Sequence, residues 1–338
     1  MNNSRSFIIA EAGVNHNGSL AKALELIEVA ASAKADAVKF QTFRAEDLVT
    51  TTAPKADYQK RATGENQSQF EMLKSLELTM ADFQMLFDHC QKHGIEFMST
   101  PFDEKSADEL ESIGMTTFKI PSGELTNHPL IRHIAQKQKP VILSTGMATL
   151  EEVHQAVEVI RSVGNTQIQL LHCVSDYPAD PATANLRAMQ VMRERFQVPV
   201  GLSDHTLGIH IPIAAVAMGA SCIEKHFTLD KSLPGPDHQA SLNPEELHQM
   251  VKQIREVESA FGSGIKQPTD AERQTALIAR RSVVLAQDLP AGHLLSSNDL
   301  LLRRPGTGLP PRELPFLVNR KLKSSLPKDH ILQESDLQ

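Results

Sequence analysis

The sequence predicts an α/β chain, a (β/α)8 TIM barrel followed by a small C-terminal domain, on three observations. Up to about residue 260 one rhythm repeats: a short β-branched run, a polar or glycine-bearing turn, then a segment whose apolar residues recur at three-and-four spacing. The β-branched runs make eight strands. Strands alternating with helices pair in parallel through right-handed crossovers, and eight such units close a barrel. Beyond about residue 280 the rhythm stops and short apolar runs sit among prolines. The 338 residues also exceed the roughly 250 that such a barrel uses, which leaves room for a second domain. An open doubly wound sheet is the other arrangement the rhythm admits.

In order, the strands are expected at 7–13, 37–42, 96–102, 117–123, 140–146, 168–174, 198–205 and 221–229. Amphipathic helical segments lie between them, among others at 19–34, 81–93, 150–163 and 209–218. The stretch 44–78 is too long and polar for an ordinary βα connection. It reads as an elaborated loop over the site, with a short helix near 67–76. The barrel domain is placed at 1–262. Gly262, Gly264 and Pro268 with polar neighbours mark 263–280 as a linker, and 281–338 as a compact, strand-poor domain with apolar runs at 282–286 and 300–302. A domain of about 60 residues is marginal alone, so it is expected to dock on another surface.

Composition narrows the class of function. With 41% hydrophobic and 22% charged residues the chain buries an ordinary core. A net charge of -7 without blocks of like charge argues against a nucleic-acid or anionic-membrane surface. The N-terminal apolar run is broken by Glu11 and is too short for a signal-peptide core. No stretch approaches the roughly 20 apolar residues of a membrane helix. Cys90, Cys173 and Cys222 are odd in number, widely spaced and without a CxxC pair. They read as buried thiols in a reducing cytoplasm.

In a TIM barrel the strand C-termini all face one end, and that end carries the site. Reading only those ends gives Glu11; Lys39 and Gln41; Ser99 and Thr100; Lys119, Ser122 and Glu124; Ser144 and Thr145; His172, Ser175 and Tyr177; Ser203, Asp204 and His205; Glu224, Lys225 and His226. Any one of them alone reads equally as a capped turn. Polar groups at the same end of nearly every strand are what a polar cavity lined from all sides requires.

Lys39 and Lys119 sit inside strand runs, AVKFQT and TFKIPSG, where a buried ammonium needs a compensating anion. With the hydroxyl and glycine turns STPF, PSGE, STGM and LSDH as donors, they suit a phosphate, or a small ligand bearing phosphate and carboxylate. The alternative for each lysine is a structural ion pair with Glu11 or Glu124. His205 and His226 end adjacent strands, and two neutral imidazoles suit a first-row divalent ion with positions left open. His16 and His172 compete for that role. Pro234-Gly235-Pro236 holds Asp237 in a fixed loop near the same rim.

The segments IIAEAGVNHNGS, AVKFQTF, STPFDEKS, KIPSGE, ILSTGM, LHCVSDYP, GLSDHT, IEKHFTLDKSLPGPDHQAS and RRPGTGL, in that order, resemble the bacterial sialic acid synthase family nearly end to end. This is the N-acetylneuraminate synthase family, which includes N,N'-diacetyllegionaminate synthases. Residues 281–338 resemble its antifreeze-like domain, named for type III antifreeze proteins. The resemblance implies condensation of phosphoenolpyruvate with the open-chain aldehyde of N-acetylmannosamine, giving N-acetylneuraminate and phosphate by C–O cleavage, with Mn2+ or else Mg2+ or Co2+. It implies His205 and His226 as metal ligands and Glu11 near the reacting carbons. It assigns Lys39, Thr100, Lys119, Ser122, Ser144 and Ser203 to phosphoenolpyruvate, and Gln41, Glu124, Tyr177 and Asp237 to the sugar hydroxyls. Arg304 in RRPGTG would reach the sugar's N-acetyl group in the partner subunit of a domain-swapped homodimer. Ser175 stands where some members have Asn or Thr, which leaves its contact with the phosphate unsettled.

Relatives with nearly the same motifs take other sugars, and AEAGVNHNG and TLGIHI look as much like the legionaminate branch. The alternative substrate is then 2,4-diacetamido-2,4,6-trideoxymannose. Outside this chemistry the rival is a metal-dependent TIM-barrel hydrolase. The two buried lysines oppose it, because hydrolysis of a neutral substrate does not need two cations.

Overall fold

The structure, a computed structural model, describes residues 5–64 and 67–338. It divides into two compact units, Met1–Phe261 and Gly262–Gln338. The first holds eight strands: β1 (Phe7–Gly13), β2 (Ala37–Thr42), β3 (Glu96–Pro101), β4 (Phe118–Ile120), β5 (Val141–Ser144), β6 (Ile168–Cys173), β7 (Val200–Asp204) and β8 (Cys222–His226). They hydrogen-bond in the order β3-β2-β1-β8-β7-β6-β5-β4, and every pair is parallel. The first and last strands in sequence, β1 and β8, are hydrogen-bonded neighbours in the middle of this order, and its two ends are β3 and β4. β3 and β4 pack side by side at the seam. The open doubly wound sheet is thereby excluded.

Period-two alternation along the strands explains the core. Outward residues such as Ile8, Ala10, Val38, Phe97, Leu143, Leu170 and Ile223 pack under the helices in one large cluster. Inward residues at the lower level, Ile9, Ala37, Met98, Ile142, Leu171 and Cys222, fill the barrel with an apolar plug. Two residues further along each strand the inward positions become Glu11, Lys39, Thr100, Lys119, Ser144, Cys173, Ser203 and Glu224. The polar floor therefore rests on a dry layer. Helix starts are fixed locally: Ser19, Thr79, Asp103, Asn127, Thr149 and Asn243 each accept a first-turn N–H.

Two expectations shift. The fourth run stops as a strand at Ile120, and Ser122–Glu124 turns into a 3-10 segment, because Pro121 has no N–H for the ladder. The stretch 44–78 carries three helices, Ala45–Leu48, Asp57–Thr63 and Gln69–Leu76. With Val14, Phe43, Ala45, Met72, Leu73 and Leu76 buried, it has an apolar cluster of its own.

The second unit contains the helix Asp270–Ala279 within the stretch expected to be a linker. Thr269 and Glu272 form its capping box. Antiparallel strands β9 (Ser282–Leu285) and β10 (Leu300–Arg303) follow. Its core is almost entirely leucine: Leu285, Leu289, Leu295, Leu300, Leu317, Leu322, Leu332 and Leu337 with Val283. Cys90, Cys173 and Cys222 are free and buried. No helix among the described residues is long and apolar enough to cross a membrane.

Candidate active site

A cavity of about 640 Å3 opens at the strand C-termini. Thirteen of the fifteen residues named with the family resemblance line it: Glu11, Lys39, Gln41, Thr100, Lys119, Ser122, Glu124, Ser144, Ser175, Tyr177, Ser203, His205 and His226. Asp237 stands against His226 instead, its Oδ2 at 4.0 Å from the ring Nδ1. Arg304 belongs to the second unit, where it is exposed.

The floor is a four-charge network. Lys39 Nζ lies 2.7 Å from Glu11 Oε2 and 3.7 Å from Glu224 Oε2, and donates to Thr100 Oγ1 at 3.0 Å. Lys119 Nζ lies 3.6 Å from Glu224 Oε1, which accepts from Ser203 Oγ at 2.8 Å. The counter-charge of Lys119 is thus Glu224 and not Glu124, whose carboxylate accepts from Asn127 Nδ2 at 2.6 Å. Glu224 was visible as a strand end, but its role as the shared anion between two lysines was not.

The two glutamates are held in opposite states. Burial raises the Glu11 pKa to about 7, with Lys39 pulling it down and Glu224 pushing it up. Burial also disfavours the Glu224 anion, yet Lys119, Lys39 and the Ser203 hydroxyl outweigh it and bring that pKa to about 2. Glu224 is therefore the fixed anion, and Glu11 the carboxyl that exchanges a proton near neutrality. Gln41 Nε2 donates to Glu11 Oε1 at 3.3 Å.

Hydroxyl donors converge beside the lysines. Ser144 Oγ is buried and has no hydrogen-bond partner among the described residues, whereas Thr145 Oγ1 is used up on the Leu171 carbonyl at 3.0 Å. Gly146 N–H donates to Ser122 Oγ at 2.9 Å, and a Cβ on Gly146 would come within 2.2 Å of Ser175 Oγ. Only glycine leaves room there for both the Ser122 and the Ser175 hydroxyl.

The imidazoles of His205 and His226 have centroids 5.5 Å apart, with the Tyr177 ring 4.0 Å from the first and 5.7 Å from the second. His205 Nδ1 is 2.7 Å from the Val174 carbonyl, which only accepts, so that nitrogen carries the proton and Nε2 keeps its lone pair. His226 Nδ1 is buried without a hydrogen-bond partner among the described residues. Burial, followed by His205 and Lys39, keeps this ring neutral by taking its pKa well below the usual value. Burial lowers the His205 pKa, but the neighbouring Cys173 and the Val174 carbonyl outweigh it and raise it overall; in their deprotonated forms the two rings beside Asp237 fit a first-row divalent ion. His16 and His172 are structural. His16 Nδ1 accepts from Gly18 N–H at 3.1 Å, and His172 Nε2 donates to the Ala184 carbonyl at 2.8 Å. Another trio, Glu28, His89 and His93, brings its ligand atoms within 4.8 Å on the outer helices Leu20–Ser32 and Met80–His93, and lines no part of the cavity.

Sequence reasoning missed the clamp behind Asp237. Asn15 Nδ2 donates to the Phe227 carbonyl at 2.8 Å and to Ser241 Oγ at 2.9 Å, and Ser241 Oγ donates to the Asp237 carbonyl at 2.7 Å. Asn17 Nδ2 donates to the Pro234 carbonyl at 2.8 Å, and its Oδ1 lies 3.1 Å from His238 Nε2. The NHN run of the β1 end thus fixes the loop after β8.

Residues 26–266 match the NeuB family and residues 280–338 the SAF domain. The chain is 52% identical to an N,N'-diacetyllegionaminic acid synthase of Legionella pneumophila, over 95% of this chain and 91% of that one. It is 45% identical to an N,N'-diacetyllegionaminic acid synthase of Campylobacter jejuni, over 98% and 99%. Among solved structures it resembles an N-acetylneuraminic acid (sialic acid) synthetase from Leptospira borgpetersenii in complex with citrate. That match has 37% identity and a TM-score of 0.71, covering 81% of this chain and 90% of that one.

Proposed function

We propose that this chain, which belongs to the NeuB family, condenses phosphoenolpyruvate with 2,4-diacetamido-2,4,6-trideoxymannose and water, giving N,N'-diacetyllegionaminate and phosphate. One observation carries the chemistry: a single cavity joins two buried lysines, two adjacent imidazoles and a carboxyl whose pKa is about 7. The choice of sugar rests on the two relatives of that name, matched along nearly their whole length. N-acetylmannosamine, giving N-acetylneuraminate, is the second reading, favoured by the likeness to the Leptospira protein.

Lys39, Lys119, Thr100, Ser122, Ser144 and Ser203 hold the phosphate and carboxylate of phosphoenolpyruvate, with Ser175 beside them. The arriving anion takes over part of the pairing that Glu224 and Glu11 give the lysines, and the unpartnered Ser144 hydroxyl gains an acceptor. His205 and His226 would hold a divalent ion, Mn2+ by our reading, which supplies Lewis acidity to an aldehyde oxygen when bound. The enol C3 forms the new bond to the aldehyde carbon, leaving C2 electron-poor. The aldehyde oxygen keeps the carbonyl electron pair and becomes a hydroxyl by taking a proton. A water adds at C2 and gives its proton to Glu11. The C2–O bond to phosphate then breaks with its electron pair leaving on the phosphate, as the new C2 hydroxyl loses its proton to become the keto group. Gln41, Glu124 and Tyr177 orient the sugar hydroxyls, with Asp237 beside His226. Arg304 reaches the sugar's acetamido group from the partner of a domain-swapped homodimer, in a reducing cytoplasm.

The test is phosphate release from phosphoenolpyruvate by metal-stripped protein resupplied with Mn2+ and offered each sugar. A higher kcat/KM for the trideoxy sugar is expected. A higher value for N-acetylmannosamine would move the chain to the second reading. Release without any sugar would favour a hydrolase.

A further inference from the structure

The helices Leu20–Ser32 and Met80–His93 pack side by side outside the barrel. Each buries an apolar stripe: Ala23, Leu26, Ile27 and Ala30 on the first, Phe83, Leu86 and Cys90 on the second. Glu28 follows Ile27, His89 precedes Cys90, and His93 stands one helical turn beyond His89. Three side chains that can ligate a metal are thereby brought to one seam between two helices. Each offers an atom within 4.8 Å of the other two, and His89 Nε2 is 3.2 Å from Glu28 Oε1. The His89 and His93 rings have centroids 4.4 Å apart. Glu28 and His93 are exposed and His89 is half-buried, so the seam is open to solvent.

We propose that Glu28, His89 and His93 form a divalent-cation site of their own, for an ion of the zinc type, which clips the two helices together and takes no part in the chemistry of the cavity. An ion pair would account for Glu28 and His89 alone. It leaves out His93, whose ring makes no hydrogen bond or ion pair among the described residues. Two imidazoles four residues apart on one helix face, with a carboxylate from a neighbouring helix, are a donor set that suits Zn2+ and leaves a fourth position to water. Around a tetrahedral ion with bonds of about 2.1 Å the donors stand roughly 3.4 Å apart. Glu28 and His89 already have that spacing, and rotation of the exposed His93 side chain brings in the third donor. The helix ends directly after His93, where Gly94 takes the left-handed conformation at φ 64°. A cation there also meets the negative end of the helix dipole. The first helix connects β1 to β2 and the second leads into β3. The ion therefore ties two successive units of the barrel wall together, and none of its three ligands lines the cavity.

The test counts bound metal. Full-length chains stripped of metal are titrated with Zn2+ by calorimetry and, separately, with Co2+ by its visible absorption. His89→Ala and His93→Ala are each expected to bind one ion per chain fewer than wild type, with kcat under Mn2+ unchanged. His226→Ala is expected to keep that ion, and Zn2+ should raise its melting temperature by a few degrees. Adding His93→Ala to that chain should abolish the rise. The readout is a difference between chains, so it does not depend on whether the His205 and His226 pair holds a metal. Equal metal content in wild type, His89→Ala and His93→Ala would overturn the site and leave an ion pair beside a bystander histidine. A folded His226→Ala chain that binds no Zn2+ would overturn it as well.

Discussion

Lys119 Nζ and Glu224 Oε1 lie 3.6 Å apart on the floor of the cavity, both buried, with Lys39 on the other oxygen of the same carboxylate at 3.7 Å. One anion thus neutralises two ammonium groups that would otherwise repel each other in a dry site. Glu224→Gln keeps the shape and removes the charge. Its expected cost to the ligand-free protein is ~3 kcal/mol or more, because breaking a buried pair strands its partners. Phosphate should recover much of that loss by supplying the missing charge. Melting with and without phosphate checks it: a variant stabilised no more than wild type would remove the argument.

Glu11 is the carboxyl set to exchange a proton. Glu11→Gln is expected to lower kcat by about 100-fold or more, the usual worth of a positioned acid or base, with little change in the sugar's KM. A variant that loses KM alone would make Glu11 a binding residue.

The two candidate metal groups separate by mutation. His226→Ala should abolish metal-dependent turnover and retain the circular dichroism of the fold, whereas His93→Ala, on the outer helices, should leave kcat as in wild type. Full turnover by the first variant would refute the assignment of the imidazole pair.

Arg304 stands exposed on the second unit. If it acts in a partner's cavity, Arg304→Ala and His226→Ala chains are each inactive alone, but a mixed dimer regains one intact site. Activity recovered on mixing and reannealing is the expected result. No recovery from verified mixed dimers would place Arg304 outside the partner's site.

Much of this site is legible in the sequence because a parallel barrel converts strand ends into one rim. Glu11, Lys39, Ser144, Ser203 and His226 needed only the right strand boundaries to be brought together. What depends on pairing was not legible. Asn15 finds the Phe227 carbonyl 212 residues away, and no local pattern signals such a partner. Lys119 was expected to pair with Glu11 or Glu124, and only the closed barrel puts Glu224 beside it. The helix at Asp270–Ala279 is different: its Thr269 and Glu272 capping box was present to be read, and the flanking glycines and Pro268 outweighed it.

His16 gives the barrel a pH-dependent weakness away from the chemistry. Its ring packs against Phe40 with centroids 6.2 Å apart, and its Nε2 has no hydrogen-bond partner among the described residues. Burial lowers its pKa to about 4. The unfolded chain takes up this proton below about pH 6.5, while the folded chain waits until about 4. Stability is therefore complete above about 6.5 and lost as pH falls through that window. At pH 5 the loss from this group is on the order of 2 kcal/mol. His238, also brought to about 4 by burial, acts in the same direction. Urea unfolding at pH 7.5 and 5 should show a smaller pH penalty in His16→Gln than in wild type. Equal penalties would mean that the acid sensitivity of the fold comes from elsewhere.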